Sequence, residues 1–428
     1  MEKSMERGCG SEEDSQRMPF DQALAFLLLR AAERVSEQPR MVEKVALKAA
    51  LDRVLAERVQ SPINVPGHEN SAMDGYAFRH LDLVNSGDTK MQVIETWLAG
   101  VNQDVALTAG QCVRIMTGAA LPKDADTVIA QELVERLSDG SVLIPFTRKG
   151  SHVRLAGEDI CRGEEVLAEG TVLGPAELGV LASIGVGEVS VYKPPTVAFF
   201  TTGDELRSAE EQQPKELPYG CIYDSNRYTL YGMLKRLGVD LIDMGVLPDN
   251  PDVIRKKLTS VASKADLILT CGGVSVGEAD FVTQVLKEIG QVAFWKIAIR
   301  PGRPFAFGQI GSALFCGLPG NPVAVMVTFY TLVQPLIFSL LGVKNVSPSL
   351  VRAKVASDIS HRPGRVEFQR GIFYCNQNNE TEVKLAGEQG SGRLSSMSQA
   401  NCLLLIGAEL DTLKAGDWVD IIPFSGLC

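Results

Sequence analysis

The sequence has fewer basic than acidic residues and lacks the cysteine patterns of small secreted or zinc-binding domains. Its 428 residues carry 42 lysines and arginines against 52 aspartates and glutamates, and no strongly basic stretch offsets the net charge of -10. We therefore expect no nucleic-acid partner. The nine cysteines are scattered and form no CxxC pair, which argues against a zinc knuckle or a disulfide framework and favours a reducing cytoplasm.

The motifs of common nucleotide-binding folds are also missing. No Gly-Lys-Ser/Thr of a Walker phosphate loop occurs, and no GxGxxG opens a dinucleotide-binding fold. Residues 1–17 are polar and charged without an apolar core, so they predict a disordered leader rather than a signal peptide.

Charged residues are absent between Arg303 and Lys344, and residues 322–342 form an apolar run about as long as a membrane span. However, Pro335 interrupts this run, Asn321-Pro322 is typical of a helix start, and the flanks carry no basic cluster. We interpret the run as a helix buried in a large α/β domain or a subunit interface, and we expect no membrane association.

The length of the chain and the changes in its hydrophobic pattern predict several domains. Residues 19–35 and 45–59 have helical periodicity, which returns at 174–185, whereas residues 63–160 alternate in short runs typical of strands. The predicted fold class is a multidomain α/β protein with a discontinuous helical, elongated domain (18–62 and 161–193), an inserted β domain (63–160), an α/β domain (194–345) and a C-terminal β domain, either barrel or sandwich (346–428).

In the α/β domain, apolar strands alternate with helices, which predicts a mostly parallel sheet covered on both faces. Ligands of such sheets bind outside the carboxyl ends of the strands. We therefore expect a single pocket, rich in glycines, acids and two arginines, from the loops that follow the apolar strands: 201–205, 248–250, 270–280, 300–304 and 317–322.

The loop TCGGVSVGEAD (270–280) combines glycines with two carboxylates. Its glycines suit a phosphate, which Glu278 and Asp280 would repel unless a divalent cation lay between them; Mg²⁺ commonly bridges carboxylates and phosphate oxygens. Each acid could instead cap the next helix. Asp204, Glu205 and Asp249 on the same edge favour the metal.

The same loop also fits a different enzyme class. GVSVG (273–277) matches the G-x-S-x-G nucleophile elbow of α/β-hydrolases. That triad needs a histidine after the serine, and only His361 qualifies, in what we expect to be another domain.

Further anion donors follow along the chain. Arg300-Pro-Gly-Arg303-Pro holds two arginines in a stiff turn that suits an oxyanion, although it could be a solvated surface turn. The motifs at 363–365, 368–370 and 390–392 offer weaker candidates. In the inserted domain, 70–76 could be an Asp-Gly hairpin turn, 116–118 a strand end and 157–159 a loop.

A series of motifs occurs in one order: NSAMDGYA (70–77), RIMTGA (114–119), GED (157–159), TGDEL (202–206), YDSN (223–226), GGVSVGEAD (272–280), FWKIAIRPGRP (294–304), GLPGNP (317–322) and QGSGRLSS (389–396). Together they resemble the MoeA family of molybdopterin molybdenumtransferases, to which the E domain of gephyrin belongs. The resemblance runs from about residue 20 to residue 424.

The resemblance implies an elongated homodimer of four-domain subunits with the active site in a cleft between the subunits. It implies that adenylylated molybdopterin and molybdate are converted to molybdenum cofactor with Mg²⁺-dependent release of AMP. Molybdopterin adenylyltransferase and acceptor molybdoenzymes would be possible partners. Two alternatives stay open: a member specialised for tungstate, and a non-enzymatic molybdopterin-binding scaffold.

The resemblance also implies roles for individual residues, carried over by motif. The catalytic residues would be Asp280, Asp249, Glu205, Asp159, Asp74 and Thr117, of which Asp280, Asp249 and Glu205 would hold the metal. The substrate would be bound by Gly272, Gly273, Ser275, Gly277, Asp224, Ser225, Asn226, Lys296, Pro319 and Pro322. Molybdate would be bound by Arg300, Arg303, Arg370 and Ser391.

The sequence departs from the family pattern at one turn. Arg300 and Arg303 stand where lysines are often found. A guanidinium is a planar fork and an ammonium a point donor, so identical molybdate contacts are not expected.

Overall fold

The computed structural model describes residues 17–100, 105–210, 217–273, 281–344 and 346–424. The predicted leader lies outside these ranges, apart from Arg17. Residue contacts divide the chain into two compact units, Lys44–Val191 and a second made of Met1–Glu43 with Tyr192–Cys428. The four-part division made from the sequence stays a prediction.

The first part of the chain contains two α-helices and twelve strands among the described residues. In chain order they are α1 (Phe20–Glu37), β1 (Val42–Ala46), β2 (Val59–Gln60), β3 (Asn70–Ser71), β4 (Gly75–Phe78), β5 (Thr89–Trp97), β6 (Gln111–Ile115), β7 (Thr127–Ala130), β8 (Glu135–Arg136), β9 (Ser141–Ile144), β10 (Val153–Arg154), β11 (Glu165–Leu167), α2 (Pro175–Ser183) and β12 (Glu188–Tyr192). Short 3₁₀ turns occur at Leu47–Ala49, His80–Asp82 and Gln131–Leu133.

The centre of the Lys44–Val191 unit is a six-stranded sheet with the order β7-β4-β6-β5-β9-β8. All pairs are antiparallel except β5 with β6. Tyr76 and Phe78 face one buried cluster, while Ala77 faces another, because successive side chains of a strand point to opposite faces. The prediction that residues 63–160 form short β-strands is thereby confirmed.

The predicted helix at residues 45–59 is wrong. Its backbone pairs with distant residues instead: the amides of Leu47 and Asp52 donate to the carbonyls of Gly187 and Leu173, each at 2.9 Å. Asp52 has a φ of 62°, which a helix interior does not allow. Helical periodicity was present, but non-local hydrogen bonding and packing outweigh intrinsic propensity here.

The remaining elements belong to the second unit. They are β13 (Thr196–Thr202), β14 (Leu206–Arg207), β15 (Ile222–Tyr223), α3 (Ser225–Arg236), β16 (Asp240–Leu247), α4 (Pro251–Ala262), β17 (Leu267–Cys271), α5 (Phe281–Ile289), β18 (Gln291–Lys296), β19 (Ile299–Arg300), β20 (Pro304–Ile310), β21 (Ala313–Leu318), α6 (Pro322–Thr328), α7 (Gln334–Leu341), β22 (Val351–Val355), β23 (Val366–Cys375), β24 (Thr381–Leu385), α8 (Ser395–Gln399), β25 (Cys402–Ile406) and β26 (Trp418–Pro423).

The central sheet has the order β16-β13-β17-β21-β20-β18. The first four strands are mutually parallel, and β20 is antiparallel to both of its neighbours. Ala198 and Phe200 pack against α4 and α5, while Val197 and Phe199 on the other face are also fully buried. The predicted mostly parallel sheet with two buried faces is confirmed.

The apolar run forms α6 and α7 joined by a π-helical turn, Phe329–Val333. Pro322–Leu341 is, within the described ranges, the single helical segment long and apolar enough to cross a membrane, with a mean hydropathy of 1.9. Because 78% of its 18-residue apolar window is buried inside the structure, it is a core helix, as interpreted from the sequence. Pro335 does not end the helix, since the wider π turn precedes it.

Residues 351–423 form a closed barrel. The strand order β23-β24-β22-β26-β25 is completed by pairing of β25 with β23, so five strands form a ring. Val355, Val383, Leu404 and Ile421 fill its interior. The structure therefore selects the barrel over the sandwich.

Candidate functional site

The loops that follow the parallel strands lie at one edge of the central sheet. In the strand register, Thr201 is opposite Cys271, and Cys271 is opposite Leu318, so β13, β17 and β21 end together. β16 ends beside them, with Leu247 opposite Thr202. β20 is antiparallel to β21, and β18 is antiparallel to β20, so β18 runs in the same direction as the four parallel strands. The loop after β18 therefore also lies at this edge.

Two of these loops are connected by hydrogen bonds to the side chains of Asp249 and Asp204. The Thr202 hydroxyl donates to Asp249 Oδ1 at 2.6 Å, and the Asp249 amide donates to Asp204 Oδ1 at 3.2 Å. These contacts hold the loops after β13 and β16 together. Asp249 therefore lies beside the 204–205 loop, as the shared edge predicts.

Glu205 folds back over the same loop. Gly203 has a φ of 151°, and a Cβ added to it would lie 2.6 Å from Glu205 Oε2. Within the described ranges, no group of three or more His, Cys, Asp or Glu side chains is close enough to hold a metal ion. Asp280, the third predicted ligand, lies outside those ranges. The two carboxylates that are described are oxygen donors of the kind that Mg²⁺ takes.

The start of α3 is tied to two of the loops. Asp224 is the N-cap: its Oδ1 accepts from the Arg227 amide at 3.1 Å, and its Oδ2 accepts from the Thr201 hydroxyl at 2.5 Å. Ser225 begins the helix, and Asn226 Nδ2 donates to the Gly320 carbonyl at 2.7 Å. Both oxygens of Asp224 are thus engaged inside the protein, and the side chain positions its neighbours.

The glycines after β17 permit close packing at this edge. Gly273 has a φ of 63°, and a Cβ there would lie 2.5 Å from Val282 Cγ2. Gly272 follows β17 directly, and its amide donates to the Leu318 carbonyl at 3.2 Å. The predicted site residues Ser275, Gly277 and Asp280 fall outside the described ranges.

A cavity of about 530 Å³ contains every residue predicted to bind molybdate. The residues lining it are Arg300, Pro301, Gly302, Arg303, Pro304, Pro319, Gly320, Asn321, Ala324, Glu367, Phe368, Arg370, Gln389 and Ser391. They come from the β19–β20 turn, the loop before α6 with the first turn of that helix, the barrel strand β23 and the loop before α8. Segments widely separated in sequence therefore form one cationic pocket.

Arg370 is held in a single orientation. Its Nε donates to the Ser396 hydroxyl, and its Nη2 donates to the carbonyls of Glu388 and Gly390, each at 3.1 Å. The residue is only 1% exposed. Burial lowers the pKa of its guanidinium, and the nearby Glu367 carboxylate acts in the opposite direction. Arginine's high pKa keeps the group charged, so it supplies a fixed positive charge.

Arg300 is paired with a carboxylate in the same cavity. Its Nη1 donates to Glu367 Oε2 at 3.2 Å. Sequence reasoning missed Glu367, although it directly precedes the recognised Phe368-Gln369-Arg370 motif. It also missed Thr202, whose hydroxyl lies within the recognised TGDEL motif.

Three other predicted substrate residues take different positions. Pro319 lines the cavity, whereas Pro322 is the first residue of α6. Lys296 ends β18 opposite Pro304. Lys296 and Pro322 therefore lie at the cavity edge of the sheet but outside its lining.

In the Lys44–Val191 unit, Asp74 and Thr117 form a local pair. Asp74 Oδ1 accepts from the Thr117 amide at 2.8 Å and from the Thr117 hydroxyl at 2.7 Å. These two hydrogen bonds, with a smaller contribution from the charge of Arg114, lower the pKa of Asp74. The exposed carboxylate is therefore held ionised.

Asp159 lies in the loop between β10 and β11. The Asp159 amide donates to the Val65 carbonyl at 3.1 Å, and the residue is exposed to solvent. The loop is thus anchored through its backbone.

The fold and the site define a class of protein. The α/β domain has acids and a glycine loop at the carboxyl edge of its sheet, and it shares an arginine pocket with a β-barrel. This arrangement is suited to anionic substrates that carry phosphate or oxyanion groups.

Comparisons with known proteins place the chain in a particular family of this class. The family model for the MoeA N-terminal region (domain I and II) matches residues 18–185. The model for the "Probable molybdopterin binding domain" matches 198–339, and that for the MoeA C-terminal region (domain IV) matches 352–424. The chain belongs to the MoeA family.

Individual relatives agree over nearly the whole chain. The molybdopterin molybdenumtransferase of Haemophilus influenzae is 43% identical over 93% of this chain and 98% of its own length. That of Nostoc sp. is 34% identical over 91% and 90%. The crystal structure of the molybdopterin biosynthesis MoeA protein from Pyrococcus horikoshii OT3 has a TM-score of 0.81 at 29% identity, over 96% of this chain and 100% of that one. The family resemblance seen in the sequence is confirmed.

Proposed function

We propose that the protein converts adenylylated molybdopterin and molybdate to molybdenum cofactor and releases AMP. The observation that carries this proposal is the cavity, in which Arg300, Arg303, Arg370 and Ser391 come together from three segments. Guanidinium groups and a hydroxyl are suitable donors to a tetrahedral oxyanion. The names of the H. influenzae and Nostoc relatives support the same reaction class.

The glycine loop would receive the phosphate end of the substrate. Gly272 and Gly273, with Ser275 and Gly277, would bind the pterin phosphate, since residues without a side chain let the phosphate approach the backbone closely. The Gly272 amide itself donates to the Leu318 carbonyl, so Gly272 would contribute space rather than a donor. Asp224 would act indirectly by placing Ser225 and Asn226, because both of its oxygens are engaged. Lys296, Pro319 and Pro322 would complete the edge of the site.

A Mg²⁺ ion bound by the acids would neutralise charge on the phosphate oxygens. Asp249 and Glu205, with Asp280, would hold it. The dithiolene sulfurs of the substrate would bind molybdate. Water would attack the adenylate phosphorus and lose its proton to solvent, the P–O bond to the molybdopterin phosphate would break, and AMP would be released as that phosphate leaves. If a molybdate oxygen attacks instead, that oxygen stays on AMP, and its bond to molybdenum breaks as a dithiolene sulfur takes its place. The chain contributes orientation and fixed charge, as is usual in phosphoryl transfer.

The assembly and setting follow the family resemblance. We propose a cytoplasmic homodimer in which Asp74, Thr117 and Asp159 act on substrate in the cleft between subunits. Molybdopterin adenylyltransferase would supply the substrate, and apo-molybdoenzymes would receive the product.

The test is AMP release by purified protein given adenylylated molybdopterin, with molybdate, tungstate and Mg²⁺ each added or omitted. Asp280→Ala and Asp249→Asn should each slow release at least about 100-fold, because each removes a ligand of the Mg²⁺ ion that would neutralise the reacting phosphate. Asp252→Asn is the matched control, since Asp252 is 89% exposed and pairs with Arg255 at the surface.

The outcomes separate the alternatives. Release that needs molybdate and Mg²⁺ supports the proposal, while release only with tungstate identifies a tungstate enzyme. Substrate binding without AMP release under any condition indicates a scaffold, and normal turnover by Asp280→Ala contradicts the site assignment.

A further inference from the structure

We infer that Glu367 limits how tightly the arginine cavity holds a doubly charged tetrahedral oxyanion, so that the anion binds reversibly. This inference rests on the proposed function, because it concerns the cavity assigned to molybdate. Glu367 is an unexpected residue there: a carboxylate lining an anion pocket repels the ligand that the arginines attract.

The carboxylate is fixed by contacts on both oxygens. Oε2 accepts from Arg300 Nη1 at 3.2 Å, and Oε1 accepts from Gln369 Nε2 at 3.0 Å. His361 closes the other side, with Nδ1 4.0 Å from Oε2 while its Nε2 donates to the Arg362 carbonyl at 3.1 Å. Glu367 is 8% exposed, so solvent screens its charge weakly.

The backbone enforces the pairing with Arg300. In the parallel ladder between β19 and β23, Arg300 is directly opposite Glu367. Side chains opposite each other on adjacent strands are neighbours whatever their chemistry. The carboxylate therefore stays beside this arginine and inside the cavity lining.

The charges of the lining match a dianion. Among the residues that the structure describes, three guanidinium groups (Arg300, Arg303 and Arg370) and the Glu367 carboxylate line the cavity, giving a formal charge of +2. Molybdate carries two negative charges. Without Glu367 the lining would carry +3, which would retain a dianion more tightly and slow its transfer to a substrate.

The experiment uses Glu367→Gln in the full-length protein. Glutamine keeps the shape and an acceptor for Arg300 but removes the charge. Isothermal titration at pH 8 and constant ionic strength compares molybdate with perrhenate, a tetrahedral oxyanion of similar size and single charge. We expect Glu367→Gln to tighten molybdate binding about tenfold and perrhenate binding about threefold, because the Coulomb energy of a ligand scales with its charge.

The matched control is Glu388→Gln. Glu388 is 73% exposed, pairs with Arg393 and does not line the cavity, although its backbone carbonyl accepts from Arg370. This variant makes the same change in net charge outside the pocket, and both affinities should stay within about twofold of wild type. Thermal unfolding of each variant checks that the fold is retained.

The charge dependence is the decisive readout, because a merely structural role of Glu367 would change both affinities equally. Equal effects on the two anions, or weaker molybdate binding by Glu367→Gln, would overturn the inference while AMP release by the wild type still supported the proposed function. If Glu367→Gln changes the two affinities as expected but the wild type releases no AMP, the proposed function alone would be overturned. Failure of the wild type to bind either anion would overturn the inference, and AMP release by the wild type would decide the proposed function separately.

Discussion

Charged side chains in the two units are stabilised in different surroundings. Arg370 is a buried cation with three hydrogen bonds to a hydroxyl and two carbonyls, which fix its direction. Asp74 is an exposed anion whose ionised form is favoured by two donors from a single residue, Thr117. In both cases hydrogen bonds to ordinary polar groups, rather than an opposite charge, set the geometry.

The Asp74 pair gives a pH prediction. Thr117→Val removes the hydroxyl donor but keeps the amide, so the lowered pKa of Asp74 should move up towards its ordinary value of 3.8. Carboxyl ¹³C NMR titration from about pH 2 to pH 6 measures this change. Because the native pKa is depressed, the stabilisation of ionised Asp74 is present above the unfolded-state value and is lost as the pH falls through the native value.

Thr117→Ser keeps both donors and is the control. Its Asp74 pKa should match that of wild type, and all three proteins should carry an ionised Asp74 at pH 7. An unchanged titration of Asp74 in Thr117→Val would contradict the role given to the hydroxyl.

At the scale of elements, a short turn between strands fixes the cavity arginines. Gly302 lies between Arg300 and Arg303 with a φ of 118°, and a Cβ added to it would lie 2.5 Å from Thr328 Cγ2 of α6. Thr328 is itself held, because its hydroxyl donates to the Ala324 carbonyl at 2.8 Å. The turn and the buried helix therefore pack without space for a side chain.

Gly302→Ala should destabilise the protein by about 1–3 kcal/mol, since it combines an unfavourable backbone conformation with a steric conflict. It should also weaken molybdate binding by displacing the arginines. Urea unfolding and anion titration measure the two effects. Gly320→Ala is the stability control, because nothing lies within 4 Å of a Cβ at that position. Equal stability of the two variants would show that the turn tolerates a side chain.

At the scale of the whole molecule, the Lys44–Val191 unit has cores of its own. Its sheet buries Phe78 and Tyr76 in one cluster and Val113 in another, while Leu55 and Leu181 belong to a third. The chain enters and leaves this unit through β1 and β12, which pair with each other. A unit with its own cores and neighbouring ends meets the usual conditions for independent folding.

A fragment of residues 42–192, which keeps β1 and β12 complete, should fold alone. We expect a cooperative thermal transition by circular dichroism and dispersed amide signals by NMR. Phe78→Ala in the same fragment should lower its stability by about 3–5 kcal/mol, since the side chain is fully buried. A fragment without a cooperative transition would show that the unit depends on the rest of the chain.

Short-range patterns in the sequence determined much of the architecture. The alternation of apolar strands and helices predicted the parallel sheet, and Asn321-Pro322 predicted the start of α6, because both signals depend on neighbouring residues. The rule that parallel strands end at one edge then placed Asp249 beside the 204–205 loop. The ordered motifs identified the family, and with it the arginines.

Long-range contacts decided what the sequence could not. Residues 45–59 have a helical period, yet their backbone pairs with residues 171–190, because a local propensity is weak beside a network of non-local hydrogen bonds. Arg300 and Glu367 are 67 positions apart and meet only because β19 pairs with β23. The sequence by itself thus determined most of the elements and the chemistry of the loops. The tertiary structure alone decided the conformation of residues 45–59 and which distant charges share a cavity, because both depend on contacts between segments far apart in the chain.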